Sequence, residues 1–179
     1  MTILIKSEKI ELIVNEYERM SRKMKIGLGS DHNAFEMKEA LKEFIEGVGH
    51  EVYEYGSEDS KKEIDYPGVA FEVSTAINDN EIDRGILVCG TGIGMAIAAG
   101  KVPGIRAALC HDTYSAERAQ KSNNAQVLTM GAQVIGIQAA IKVVEMYLNS
   151  EFPGGNSARK VQQIMDKEQE YLKASSMDT

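Results

Sequence analysis

Apolar residues recur along this chain with two alternating periods, and the switches between them delimit its elements. Ile10, Ile13, Val14 and Tyr17 fall three and four apart, which predicts an amphipathic helix over residues 6–22. "MKIGLGS" at 24–30 predicts a short strand ending in glycine. "NAFEMKEALKEFIEGVG" puts Phe35, Leu41, Ile45 and Val48 on one helical stripe that stops at Gly47 and Gly49. "HEVYEYG" reads as a second strand, and "DYPGVAFEVSTAIND" as a helix with proline in its first turn. "RGILVCG" is a third strand, leading into the short helix "IGMAIAAGK". "GIRAALC" is a fourth, with a helix near 112–122, and "AQVLTMG" a fifth, with a helix near 135–149; a polar helix is predicted over 157–173.

Strand alternating with helix at this spacing implies βαβ units with right-handed crossovers, hence an α/β sandwich of one parallel sheet covered on both faces. Ligands of such sheets bind beyond the carboxyl ends of the strands. That rule selects Ser30, Asp31 and His32 after the first strand, Cys89 to Gly94 after the third, His111 and Asp112 after the fourth, and Gly131 to Gln133 after the fifth.

Composition narrows the function classes. A chain of 179 residues fits one ordinary domain, and 43% hydrophobic with 26% charged residues is a globular balance. A net charge of −7 argues against nucleic-acid binding, which needs a basic face, but leaves room for a local anion pocket. No apolar run approaches the roughly 18 residues of a membrane span, and "MTILIKSEKIELIV" mixes charge with apolar residues, so a cytoplasmic protein without membrane contact is expected. Cys89 and Cys110 belong to no CxxC metal pattern and make no disulfide framework.

The stretch "VCGTGIGMAIAAG" at 88–100 carries the chemistry. Gly90, Gly92 and Gly94 fail the G-x-G-x-x-G spacing of a dinucleotide loop, and "GKV" at 100–102 fails the Walker pattern. Their plain reading is a tight turn that packs a helix on the sheet. Cys89 adds a second one, because a thiol before N–H groups that open a helix is set up as a thiolate base or nucleophile. The same N–H groups and Thr91 could hold an oxyanion. Asp31 and His32 end the first strand, where they either cap the next helix or handle protons opposite the thiol. Cys110 reads as a small core hydrophobe, and His111 stands on the binding edge without an obvious partner.

"GSDHNAFEMK", "DYPGVA", "GILVCGTGIGMAIAAGKVPGIRAALCHDTYSA" and "NNAQVLTMGAQVIG" together resemble the ribose-5-phosphate isomerase type B family, which includes galactose-6-phosphate isomerase subunits. The resemblance covers residues 24–170 and implies a Rossmann-like three-layer αβα sandwich with a five-stranded parallel sheet. It implies an isomerase domain at 24–155 and a C-terminal helix at 156–179 lying at a dimer contact, while the amphipathic helical extension at 1–23 lies outside it. The reaction implied is a metal-free and cofactor-free aldose–ketose interconversion of a small phosphorylated sugar, by a homodimer or a dimer of dimers. Carried over by position, Cys89 moves the proton, while Thr91 and the loop of Gly90, Gly92, Ile93 and Gly94 stabilise the enediolate. Asp31, His32 and Tyr66 bind the sugar, Asn123 reaches in from the partner, and Lys160 meets the phosphate.

The departures from the family pattern are specific. Ser122 replaces the ring-opening His, Asn156 and Gln133 stand at Arg positions, Lys160 with Arg159 beside it replaces a second phosphate Arg, and Gly100 replaces an Asn. Lys supplies charge but no planar bidentate clamp. Three outcomes are open: His111 or His32 opens the ring in a working homo-oligomer, a related partner subunit supplies the missing groups, or the chain only senses sugar phosphates.

Overall fold

The computed structural model describes residues 23–177, so the helix expected over 6–22 lies outside the described residues. Five strands, β1 (Lys25–Ser30), β2 (Glu51–Gly56), β3 (Arg84–Cys89), β4 (Ala107–Leu109) and β5 (Val127–Gly131), form one parallel sheet in the order β2-β1-β3-β5-β4. The helices are α1 (Phe35–Gly47), α2 (Tyr66–Asn78), α3 (Ile93–Ala99), α4 (Thr113–Asn123), α5 (Ile137–Leu148) and α6 (Gly155–Met177). One apolar cluster joins α1, α4 and α5 to the sheet, and a second joins α2 and α3 to its other face. This is the three-layer sandwich that the alternating periods predict.

Strands buried on both faces read as continuous apolar runs. In β3, Ile86 and Val88 enter the first cluster while Leu87 and Cys89 enter the second. Each large apolar side chain so buried contributes about 1.5–3 kcal/mol. From β1 the chain moves outward to β2 and then returns to place β3 on β1's other side. That reversal opens a crevice at the carboxyl ends of β1 and β3, where Ser30 pairs with Val88 and the Asp31 N–H donates to the Val88 carbonyl at 3.3 Å.

Three boundaries differ from the expected ones. A 3-10 turn at His32–Ala34 precedes α1, because the Asp31 carboxylate accepts the Asn33 N–H at 3.0 Å and tightens the entry. The fourth strand shrinks to three residues. Its first part is a turn, in which Ile105 N–H returns to the Val102 carbonyl and Gly104 takes φ +84°. The last helix is longer, running from Gly155 to Met177. Among the described residues, no helix is long and apolar enough to cross a membrane.

Candidate active site

The site grows from the end of β3. Cys89 is its last residue, 5% exposed, and Gly92 at φ +78° turns the following backbone so that its N–H donates to Cys89 Sγ at 3.1 Å. Left-handed backbone with no β-carbon is required here, since a β-carbon on Gly92 would stand 2.6 Å from the Met130 carbonyl carbon. The sulfur thus accepts a backbone hydrogen bond inside the site. The following helix has seven residues, so the support comes from the loop's own N–H groups.

Neighbouring strands supply the walls. Asp31 is 6% exposed at the end of β1, and His32 beside it is half-buried. The His32 Nδ1 accepts the Ile64 N–H at 3.4 Å, and its Nε2 lies 3.2 Å from the Asn33 amide. Tyr66, the first residue of α2, covers Gly94 so closely that a β-carbon there would come within 2.5 Å of the ring. From β5, the exposed Gln133 lies against Gly90 and donates its N–H to the Gly90 carbonyl at 3.0 Å. Thr91 and Ile93 project from the loop as exposed side chains, and Thr91 Oγ1 accepts the Ile93 N–H at 3.4 Å. His32 also lines a cavity of about 360 Å³ with Asn33, Ser60, Ala132 and Gly136.

His111 has a partner that the sequence did not suggest. Its Nε2 accepts the Gly131 N–H at 3.0 Å, and Gly131 in turn packs on the Thr91 backbone. This imidazole therefore supports the loop through the Gly131 backbone.

The remaining expected site residues lie elsewhere. Asn123 ends α4, and its carbonyl accepts from Arg106 Nε at 3.1 Å just ahead of β4. Ser122 stands beside it, and Lys160 lines a cavity with Gly100, Lys101 and Pro103, where the chain passes from α3 to β4. Asn156 and Arg159 are exposed in the first turns of α6. All of these belong to the amino edge of the sheet, away from Cys89 at the carboxyl end of β3. Within one chain they do not meet the thiol. A cavity of about 900 Å³ along Ile164, Tyr171 and Leu172 of α6 is also remote from it.

A match to the family described as Ribose/Galactose Isomerase spans residues 26–164, most of the chain. The chain belongs to this family. It shares 48% identity over 138 residues with the ribose-5-P isomerase B of Listeria innocua, covering 77% of this chain and 93% of that one. The D-erythrulose-4-phosphate isomerase of Pectobacterium atrosepticum is also 48% identical, over 141 residues, with 79% and 93% covered. A structure of Clostridium thermocellum ribose-5-phosphate isomerase B superposes with a TM-score of 0.80 at 41% identity, covering 83% of this chain and 99% of that one. As a member of this family of sugar-phosphate isomerases, the chain is an aldose–ketose isomerase, and an exclusively sensory role falls away.

Proposed function

We propose that the chain interconverts ribose 5-phosphate and ribulose 5-phosphate with Cys89 as the base. The observation that carries this reading is the Gly92 N–H aimed at a buried Cys89 Sγ at the β1/β3 crevice, 3.1 Å away. His32, aided by Asp31, opens the furanose ring by passing a proton to its ring oxygen as the C1–O bond to it breaks and the anomeric hydroxyl gives up its own proton. Cys89 then removes the C2 proton of the open-chain aldose, and the electron pair moves through C1 onto O1. Thr91 and the N–H groups of the Gly90 to Gly94 loop stabilise the resulting cis-enediolate. Return of the proton to C1, with the O2 proton passing to O1, completes the ketose without net oxidation or reduction.

The phosphate end needs a second copy. Asn123 and Lys160 stand at the opposite sheet edge from Cys89, so only another subunit can bring them to this thiol, and a homodimer with sites between its chains meets that requirement. The purified chain, incubated with pentose, tetrose and hexose phosphates, is expected to turn over ribose 5-phosphate best. A preference for erythrulose 4-phosphate would replace the pentose assignment by the four-carbon one. Turnover only after adding a related subunit would overturn the homo-oligomer.

A further inference from the structure

Lys38 breaks the pattern of α1. It falls on the helix's buried face with Met37, Leu41 and Ile45, yet it carries an ammonium group and is only 2% exposed. Burying a cation is costly, and an apolar residue of the same volume usually serves stability as well or better. The partners show what the charge does. Nζ donates to the Ser57 carbonyl at 2.6 Å and pairs with Glu54 at 3.2 Å. Glu54 also holds Lys42, which is partly exposed and has no recorded bond to Ser57.

Ser57 is the fully buried first residue of the segment between β2 and α2, whose next six residues are all exposed. Two anchors fix its start, the Ser57 N–H on the Ser30 carbonyl at 2.9 Å and Lys38 on its own carbonyl. The segment then delivers Ser60 to the cavity beside His32, the Ile64 N–H to His32 Nδ1, and Tyr66 to the face of Gly94. Three contacts with the site thus depend on one exposed stretch that is clamped from below by a buried cation.

We propose that Lys38 is a positioning residue: by holding the Ser57 carbonyl it sets the 57–65 segment, and through it the His32 ring and Tyr66, against the Cys89 loop. The inference rests on the functional reading above. It has a consequence that is independent of turnover, because Lys61 and Lys62 are exposed tryptic sites in the same segment.

The test compares Lys38→Met with Lys42→Met in the full chain, which separates the clamp from the ion pair it shares. Lys38→Met is expected to fold, since Glu54 keeps Lys42, and to lower kcat for the isomerised sugar phosphate by about 10²-fold with a smaller change in KM, as a misplaced catalytic group does. Trypsin should cut after Lys61 and Lys62 at least about tenfold faster, the factor expected for losing one charge-assisted hydrogen bond. Lys42→Met should match wild type in both assays. Should Lys38→Met fail to fold, Lys38→Gln, which keeps a neutral donor one bond shorter, is expected to show the same faster cutting and lower kcat in weaker form. Wild-type kcat in the folded Lys38 variant, an unchanged cutting rate, or an equal loss in Lys42→Met overturns the proposal. If even the wild-type chain turns over no sugar phosphate, the functional reading fails instead, and the tryptic rates still decide whether Lys38 holds the segment.

Discussion

Cys89 and Cys110 occupy similar places at strand ends and have different surroundings. Each stands at the carboxyl end of a strand, β3 for one and β4 for the other, and they are 5% and 3% exposed. What differs is the next three residues. After Cys89 comes Gly-Thr-Gly, whose left-handed Gly92 turns an N–H back onto the sulfur. After Cys110 comes His-Asp-Thr, in which Asp112 caps α4 by accepting the Ser115 N–H at 2.7 Å. Burial, with the Asp112 carboxylate adding to it, pushes the Cys110 thiol up to about 11. Burial raises the pKa of the Cys110 thiol, whereas the buried Cys89 sulfur has a backbone N–H directed at it.

The largest test of this contrast removes each sulfur. Cys89→Ala should lower kcat by about 10²–10⁴-fold, the range lost with a general base, while the circular dichroism spectrum is unchanged. Cys110→Ala should leave kcat within a factor of about two, because its side chain belongs to the packed face and not to the crevice. Equal losses in the two variants would abolish the distinction.

A subtler break keeps both thiols and removes the turn. Gly92→Ala forces a β-carbon toward the Met130 backbone and onto a left-handed residue, so it should cost about 1–3 kcal/mol in chemical denaturation and reduce kcat as well. Cys110→Ser should cost about 1 kcal/mol with activity kept, since a hydroxyl replaces a weakly polar group in an apolar cluster.

The smallest effect is in alkaline titration. Because the folded Cys110 value lies above the ordinary 9.0, the contribution of its neutral thiol is present below pH 9 and is lost as the pH rises toward about 11. Wild type should therefore lose stability faster than Cys110→Ala over pH 9–11. Parallel curves in urea denaturation would show that burial does not hold this proton.

Much of the fold was legible because its pattern is local. Period switches located all five strands and the six α-helices within the described residues. Errors came where a tertiary contact overrode the local signal. "GIRAALC" has strand character throughout, but Gly104 turns and the Arg106 guanidinium reaches the carbonyls of Asn123 and Asn124, which leaves three residues paired. His111 looked free because its partner, the Gly131 N–H, is twenty residues away. Lys38 passed unnoticed even though a charged residue on an apolar helical stripe is itself a visible signal; its meaning depends on Ser57, which belongs to another element.

By itself, the sequence determined the α/β class, the order of its elements and the loop that bears Cys89, since each follows from residue periods and from glycines that act on their immediate neighbours. Only the tertiary structure decided which groups meet. It turned the Gly92 N–H onto sulfur, laid Tyr66 on Gly94, and assigned His111 to the backbone. It also put Asn123 and Lys160 at the edge of the sheet away from Cys89. The physical reason is that a parallel sheet sends every strand the same way and every helix back, so residues close in sequence terms can end a full strand length apart.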